Sequence, residues 1–143
     1  MKRRVVVTGL GVITALGLDV NTFWQNIKQG KSGVSLIESF DTSEFGTKIG
    51  AEVKDFVPTN YLEKKDVRHM DRFTQFAVVA AQQALTDSAF QITEENAHEI
   101  GVIIGSGIGG LQTLEEQTRR LWEKGPKRVS PFFIPMIIPD IAS

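Results

Sequence analysis

The glycine-rich stretch "VIIGSGIGGL" at 102–111 is the part of this sequence whose residue types and spacing first suggest chemistry. Gly105, Gly107 and Gly110 have the spacing G-x-G-x-x-G, after an apolar run and before a helical pattern. In a dinucleotide-binding fold, such a turn brings a pyrophosphate to the amides of a helix N-terminus. Two other interpretations compete with this one. The glycines could serve a tight turn with close backbone packing, or they could leave room for a ligand's chain beside Ile108.

The sequence after this turn argues against a nucleotide site. A dinucleotide-binding fold needs a second strand soon after the helix, ending in an acidic residue that binds the ribose. Here no acidic residue lies between Glu123 and Asp140, and three prolines fall in that window: Pro126, Pro131 and Pro135. Because proline removes a ladder donor, a central parallel strand is not expected there. A nucleotide-binding domain is therefore the least favoured interpretation, and we expect no cofactor.

A second candidate surface is the charged segment "EKKDVRHMDR" at 63–72. On a helix with about 100° per residue, its cations share one arc of about 100°: Lys64, Lys65, Arg68 and Arg72. His69 lies just beyond the edge of this arc. Further cations cluster around the turn at Gly125: Lys124, Lys127 and Arg128. Such charges commonly form a solvated face, and the functional alternative is docking of a small acidic protein, whose encounter they would speed and orient.

Composition narrows the class of protein. The chain has 143 residues, of which 41% are hydrophobic and 23% charged, so a soluble globular domain is expected. Its net charge of −1 argues against a general nucleic-acid binder. With no cysteine and only two histidines, it offers no disulfide framework, no thiol nucleophile and no obvious metal site. Neither a signal peptide nor a membrane span is indicated, so a cytoplasmic location is expected.

The order of apolar patterns predicts an α/β fold with a largely parallel sheet. Two short β-branched runs that end in glycines, at 4–11 and 100–104, indicate buried strands. Helices are predicted from Val20 to Gln29, at 73–85 and at 111–124. The first is capped by Asp19 and stopped by Gly30, and the last is closed by Gly125 and Pro126. The segment 48–53 fits either an edge strand or irregular structure.

The last residues, 129–143, form the most apolar stretch of the sequence, and the sequence stops within it. Natural termini are usually polar and frayed. We interpret the chain as one cut in mid-domain. The alternative is a terminal segment that is buried against a partner subunit.

Several segments together resemble the β-ketoacyl-acyl-carrier-protein synthases of fatty-acid synthesis, in particular the type II elongating members. They are "RRVVVTGLGVITALG" at 3–17, "FWQNIKQGKSGV" at 23–34, "MDRFTQFAVVAAQQAL" at 70–85, "IGVIIGSGIGG" at 100–110 and "GPKRVSPFFIPMIIPDIAS" at 125–143. Ala15 stands where proline is common, and His69 stands where another lysine is frequent and would weaken the basic patch at neutral pH. The resemblance implies that 1–143 is part of an N-terminal thiolase-like domain, with a mixed, largely parallel sheet and packed helices.

The resemblance also implies a reaction, the decarboxylative condensation of an acyl thioester with malonyl-acyl carrier protein. The family's nucleophilic cysteine and both of its catalytic histidines would lie beyond residue 143. We therefore expect no catalytic residue within this chain, no metal or redox cofactor, and no activity of the chain alone. Acyl carrier protein is the implied partner, and the full-length enzyme is expected to be a homodimer. The alternative is a non-catalytic scaffold or chain-length partner of a condensing enzyme, which would lack the cysteine.

The residues that the resemblance assigns to substrate handling fall into two groups. Ile108 is expected to gate the acyl pocket, with Phe133 and Ile134 lining that pocket from across the homodimer interface. Simple packing remains the alternative role for Ile108. The carrier-protein docking surface is expected to consist of five cations: Lys64, Lys65, Arg68, Lys127 and Arg128.

Overall fold

The computed structural model describes residues 3–143 as a mainly helical chain. Its helices are α1 Val20–Lys28, α2 Lys64–Val67, α3 Arg72–Ser88, α4 Leu111–Lys124 and α5 Phe133–Ile137. Short 3-10 helices lie at Pro58–Asn60, Ala97–Glu99, Pro126–Arg128 and Pro139–Ala142. The chain divides into two compact units, the first holding the residues up to Val57 with Ala80–Phe90, and the second Pro58–Val79 with Gln91–Ser143. No helix within 3–143 has the length and apolar character to span a bilayer.

Helix α1 begins and ends where local residue types predict. The amide and the hydroxyl of Thr22 donate to the two carboxylate oxygens of Asp19, at 2.8 and 2.7 Å. These hydrogen bonds hold the pKa of Asp19 below its usual value because they stabilise the charged form. Gly30, with a φ of +65°, follows the helix at its other end. The predicted cap and stop are both confirmed.

Helix α3 covers the predicted alanine-rich stripe and extends it at the C-terminal end. In the first unit, its alanines face the backbone of the N-terminal glycines. A Cβ atom added at Gly9 would collide with the carbonyl of Ala84, and one added at Gly11 with the carbonyl of Ala80. These glycines therefore allow the N-terminal segment to lie directly on the helix.

The predicted parallel strands are absent from the part of the chain that the structure describes. Val5 is 90% exposed and Ile103 is 97% exposed, and neither 4–11 nor 100–104 joins a ladder within 3–143. The ladder that does form is a short antiparallel pair, β1 Ser35–Leu36 with β2 Ile49–Gly50, so the edge-strand interpretation of 48–53 is confirmed at two residues. A strand needs a neighbour that offers its backbone groups, and no described segment offers them to these two runs.

The charged segment 63–72 is not one continuous helix, so that expectation is wrong. Helix α2 ends at Val67, a turn follows, and α3 begins at Arg72. The side-chain amide of Gln75 donates to the carbonyls of Val67 and Met70, at 3.3 and 3.1 Å, which satisfies backbone groups at this break. Arg72 consequently leaves the predicted cationic arc. Its guanidinium lies 4.8 Å from the ring centre of Phe76, and burial lowers its pKa.

Candidate functional site

The C-terminal end of the glycine-rich turn is tightly packed. Gly109 has a φ of +79°, a conformation that favours glycine. A Cβ atom added at Gly109 would collide with the carbonyl of Ile137 at the end of α5, and one added at Gly110 with the carbonyl of Met136. The amide of Gly110 also donates to the carbonyl of Ile137, at 3.2 Å. Close backbone packing therefore explains these two glycines.

The N-terminal end of the same turn is open. A Cβ atom added at Gly105 or Gly107 would meet no atom within 4 Å. The side chain of Ile108 is 68% exposed. The hydroxyl of Ser106 accepts a hydrogen bond from the amide of Gly109, at 3.0 Å, and so ties the open end to the packed end. The structure thus leaves space around Ile108, and its role as a gate stays a prediction.

A buried carboxylate, Asp71, holds the first turns of two helices. Asp71 is only 6% exposed. Its Oδ2 accepts hydrogen bonds from the amide and the hydroxyl of Thr113 in α4, at 2.9 and 2.6 Å. Its Oδ1 accepts from the amide of Phe73 in α3, at 3.3 Å. A negative charge is favourable at both places, because the free amides of a helix N-terminus carry partial positive charge.

This arrangement gives a second argument against the nucleotide-binding interpretation. In a dinucleotide fold, the pyrophosphate would occupy the N-terminus of α4. Asp71 already fills that position, and the amide of Gly110 is bonded to Ile137. A phosphate there would meet a buried like charge and occupied donors. Sequence reasoning missed the role of Asp71, because no local pattern connects residues that are 42 positions apart.

Helix α5 carries the two residues expected to line the acyl pocket. Phe133 is half-buried and Ile134 is 55% exposed. The opposite end of the same short helix contacts Gly109 and Gly110. The structure therefore joins the helix of Phe133 and Ile134 to the turn of Ile108 through the Gly110–Ile137 hydrogen bond. A contribution of these residues across a dimer interface remains a prediction.

The first group of docking residues lies on α2 and the turn after it. Lys64, Lys65 and Arg68 are all exposed. The ammonium of Lys65 lies 3.0 Å from a carboxylate oxygen of Glu63, and both side chains are more than 70% exposed. An exposed pair of this kind is weak, so Lys65 can exchange Glu63 for another acidic group at little cost.

His69 connects this basic turn to the segment in front of α5. Its ring stacks on the ring of Phe132, with a centroid separation of 3.8 Å and an interplanar angle of 23°. Phe132 directly precedes the first residue of α5. The turn with the docking cations and the helix with the pocket residues are therefore in contact within one unit.

The second group of cations surrounds the end of α4. Gly125, with a φ of +78°, reverses the chain into the 3-10 helix Pro126–Arg128, which holds the exposed Lys127 and Arg128. A hollow of about 610 Å³ opens beside it, lined by Arg120, Lys124 and Arg128. Arg120 is not among the cations predicted from the sequence, although its spacing of four residues from Lys124 places both on one helix face.

Two findings concern the nucleophile and the metal-binding groups of this chain. The chain has no cysteine. Among residues 3–143, no three His, Asp or Glu side chains lie close enough together to hold a metal ion.

Comparison with protein families and curated sequences gives consistent matches over almost the whole chain. The family model described as "Beta-ketoacyl synthase, N-terminal domain" matches residues 2–143. The 3-oxoacyl-[acyl-carrier-protein] synthase 2 of Synechocystis sp. is 51% identical over 142 residues, which cover 99% of this chain and 34% of that protein. The protein of the same name from Staphylococcus aureus is 47% identical over 141 residues, with the same two shares. The chain thus spans about a third of these relatives.

Solved structures give the same result for the fold. The ishigamide ketosynthase/chain length factor has a TM-score of 0.78 and 30% identity, over 96% of this chain and 34% of that one. A type II PKS acyl-carrier protein in complex with its ketosynthase, AntDE:AntF, gives a TM-score of 0.79 and 26% identity, over 99% and 37%. The chain therefore has the fold of the corresponding part of a ketosynthase, as the predicted thiolase-like class requires.

Proposed function

Since this chain belongs to the beta-ketoacyl synthase family as its N-terminal domain, we propose that it forms the substrate-handling part of a 3-oxoacyl-[acyl-carrier-protein] synthase of type II fatty-acid synthesis. The reaction is the decarboxylative condensation of an acyl thioester with malonyl-acyl carrier protein, in the cytoplasm. Relatives that are 51% and 47% identical carry the name 3-oxoacyl-[acyl-carrier-protein] synthase 2, which supports this activity.

The observation that carries the proposal is the two-ended turn at 105–110. Gly109 and Gly110 are fixed against α5, whereas Gly105 and Gly107 have open space around them. Glycine changes its backbone angles at little steric cost, so the segment with Ile108 can move on a fixed base. In this proposal Ile108 gates the acyl pocket, and Phe133 and Ile134 line it from across the interface of a homodimer.

The covalent chemistry is assigned to groups outside this chain. An acyl group moves from the carrier protein to a cysteine thiolate, the malonyl group loses carbon dioxide, and the resulting enolate attacks the thioester. The thiolate is the reactive form of cysteine, and residues 1–143 contain none. A pure preparation of the 143-residue chain, given acyl- and malonyl-carrier protein, should form no β-ketoacyl product. Formation of that product would contradict the assignment.

We also propose that the predicted strands at 4–11 and 100–104 join a mixed, largely parallel sheet in a complete synthase. Both segments are apolar and largely exposed, and neither forms a ladder within 3–143, although the amides of Leu10 and Ile104 donate to the side chains of Asp87 and Ser143. Amide hydrogen exchange should therefore be fast at Val6 and Ile103 in the chain alone and slow in a complete synthase. Equal exchange in both would rule the strands out.

The carrier protein docks on the basic residues of the second unit in this proposal: Lys64, Lys65, Arg68, Lys127 and Arg128. All five are exposed, although the chain as a whole has a net charge of −1. The stack of His69 on Phe132 links this surface to α5 and hence to the proposed acyl pocket. Charges at the rim of an interface act mainly on the rate of encounter and on its salt dependence.

Charge reversal tests the docking surface. In a complete synthase that carries this chain, Lys65→Glu with Arg68→Glu should raise the KM for acyl carrier protein about tenfold at low salt, and less at high salt. Lys48→Glu, a reversal at an exposed residue of the first unit, is the control and should leave the KM unchanged. An unchanged KM in the double variant at low salt would disprove this docking surface.

A non-catalytic chain-length partner is the second candidate, because one of the solved neighbours is a ketosynthase/chain length factor. The two functions differ in the nucleophile. A synthase needs a reactive cysteine in the part of the protein that completes this domain, whereas a chain-length partner does not. A synthase should catalyse condensation as a purified complete protein and lose that activity on alkylation with iodoacetamide, whereas a purified chain-length partner should catalyse no condensation.

A further inference from the structure

We propose that the carrier-docking surface continues along α4, where the hollow lined by Arg120, Lys124 and Arg128 binds carboxylate side chains of the acidic carrier protein. This inference rests on the proposed function and adds Arg120 and Lys124 to the docking residues. It defines a binding site on a helix face that the resemblance to the family did not identify.

The local geometry brings these three cations together. Arg120 and Lys124 are four residues apart on α4, so their side chains leave the same face of the helix. The chain reverses at Gly125, and the 3-10 helix that follows places Arg128 on the same side. The resulting hollow measures about 610 Å³, which accommodates more than one side chain of a partner.

Among the described residues, only cations line this hollow. Within 3–143, none of its three cations takes part in an ion pair, and no carboxylate lines the hollow. A cleft lined by one sign of charge raises the local concentration of the opposite sign. Lys124 also stabilises the C-terminus of α4 through the helix dipole, but this role does not account for Arg128, which lies outside the helix.

A neighbouring residue on the same helix supplies a matched contrast. Arg119 lines a separate hollow of about 360 Å³ together with Trp122 and two carboxylates, Glu115 and Glu123. These carboxylates lie four residues before and four residues after Arg119, whereas Arg120 has one carboxylate, Glu116, four residues before it and a cation, Lys124, four residues after it. Arg119 and Arg120 therefore have the same side chain and adjacent positions, but different electrostatic surroundings.

Two observations favour carboxylates of the carrier protein as the ligand. Arg128 belongs both to this hollow and to the proposed docking surface, so the two surfaces are continuous. The guanidinium groups of Arg120 and Arg128 are suited to paired hydrogen bonds with carboxylates. Since all three cations are exposed, their contacts with a partner would remain accessible to solvent, which is typical of a transient complex.

Binding measurements with matched variants test the inference. The 143-residue chain is titrated with purified acyl carrier protein, with and without its phosphopantetheine arm. The double variant Arg120→Gln/Lys124→Gln should bind about tenfold more weakly at about 50 mM salt, with a smaller loss at about 300 mM. Arg119→Gln should change the Kd less than about twofold. Thermal melting verifies that all variants remain folded.

The outcomes separate this inference from the function on which it rests. If only the carrier with its phosphopantetheine arm loses affinity, the ligand is the arm's phosphate and the proposal is wrong. Arg120→Gln alone removes the same charge as Arg119→Gln and should weaken binding about threefold. Equal losses in these two single variants would also overturn the inference, because net charge alone would then explain the effect. If Lys65→Glu weakens binding and the double variant does not, only this inference fails. If the unaltered chain binds no carrier, the docking proposal fails as well.

Discussion

The two ends of the glycine-rich turn at 105–110 have similar sequences and opposite surroundings. At one end, Gly109 and Gly110 are pressed against the carbonyls of α5 and the carboxylate of Asp71. At the other end, Gly105 and Gly107 face open space beside the exposed Ile108. Glycines within one motif therefore have two different structural roles. One end fixes the turn in the structure, and the other gives it room to change.

The largest expected effect comes from adding one methyl group at the packed end. Gly110→Ala places a Cβ atom against the carbonyl of Met136 and close to Asp71, so the turn or α5 must move. We expect a loss of about 3 kcal/mol in the free energy of unfolding, measured by urea denaturation. Gly107→Ala is the matched control at the open end and should change stability by less than about 0.5 kcal/mol. Equal losses in both variants would remove the distinction between the two ends.

A smaller loss is expected when the charge that anchors the packed end is removed. Asp71→Asn keeps the size of the side chain, but its amide group cannot accept all the hydrogen bonds from Thr113 and Phe73. The free energy of unfolding should fall by about 2 kcal/mol. Asp55→Asn, at an exposed site in the first unit, should have almost no effect on the same urea midpoint. A stable Asp71→Asn variant would show that Asp71 does not anchor the turn.

The proposed gate at the open end of the turn is tested by measuring acyl-chain preference rather than protein stability. In a complete synthase, Ile108→Phe should slow condensation of long acyl chains about tenfold relative to short ones, because a larger side chain narrows the proposed pocket. The measurement is kcat/KM across a series of acyl-carrier proteins, with Ile92→Phe as a control at another exposed isoleucine. A uniform change at all chain lengths would argue against the gate.

Those parts of the fold that depend on local signals could be predicted from the sequence. The cap at Asp19, the stop at Gly30 and the reversal at Gly125 each follow from one residue type at one position. The alanine-rich stripe of α3 and the amphipathic pattern of α4 also predicted helices that the structure contains. Helix formation is local, so its signals lie within a few residues of each other.

The remaining features depend on groups that are distant in sequence. The runs at 4–11 and 100–104 have the composition of strands, but pairing needs a neighbouring strand that no described residue supplies. Arg72 does not continue the predicted cationic arc, because α2 ends at Val67 and a new helix, α3, begins at Arg72 after the intervening turn. The hydrogen bonds between Asp71 and Thr113 join residues 42 positions apart, so no local sequence pattern predicts them. Likewise, the hollow lined by Arg120 could not be predicted from helix spacing, because it depends on the chain reversal at Gly125 that places Arg128 nearby.

The carboxylate of Asp71, which is bound to the first turn of α4, has a consequence for chemical rescue. Because Asp71 already supplies the negative charge that this helix end attracts, added phosphate or sulfate has no vacant position to fill there. Truncation to Asp71→Gly would create a small cavity with unsatisfied amide donors in its wall. Acetate has the size and charge of the deleted CH2–COO− group, so it should restore part of the lost stability in that variant and none in the unaltered chain.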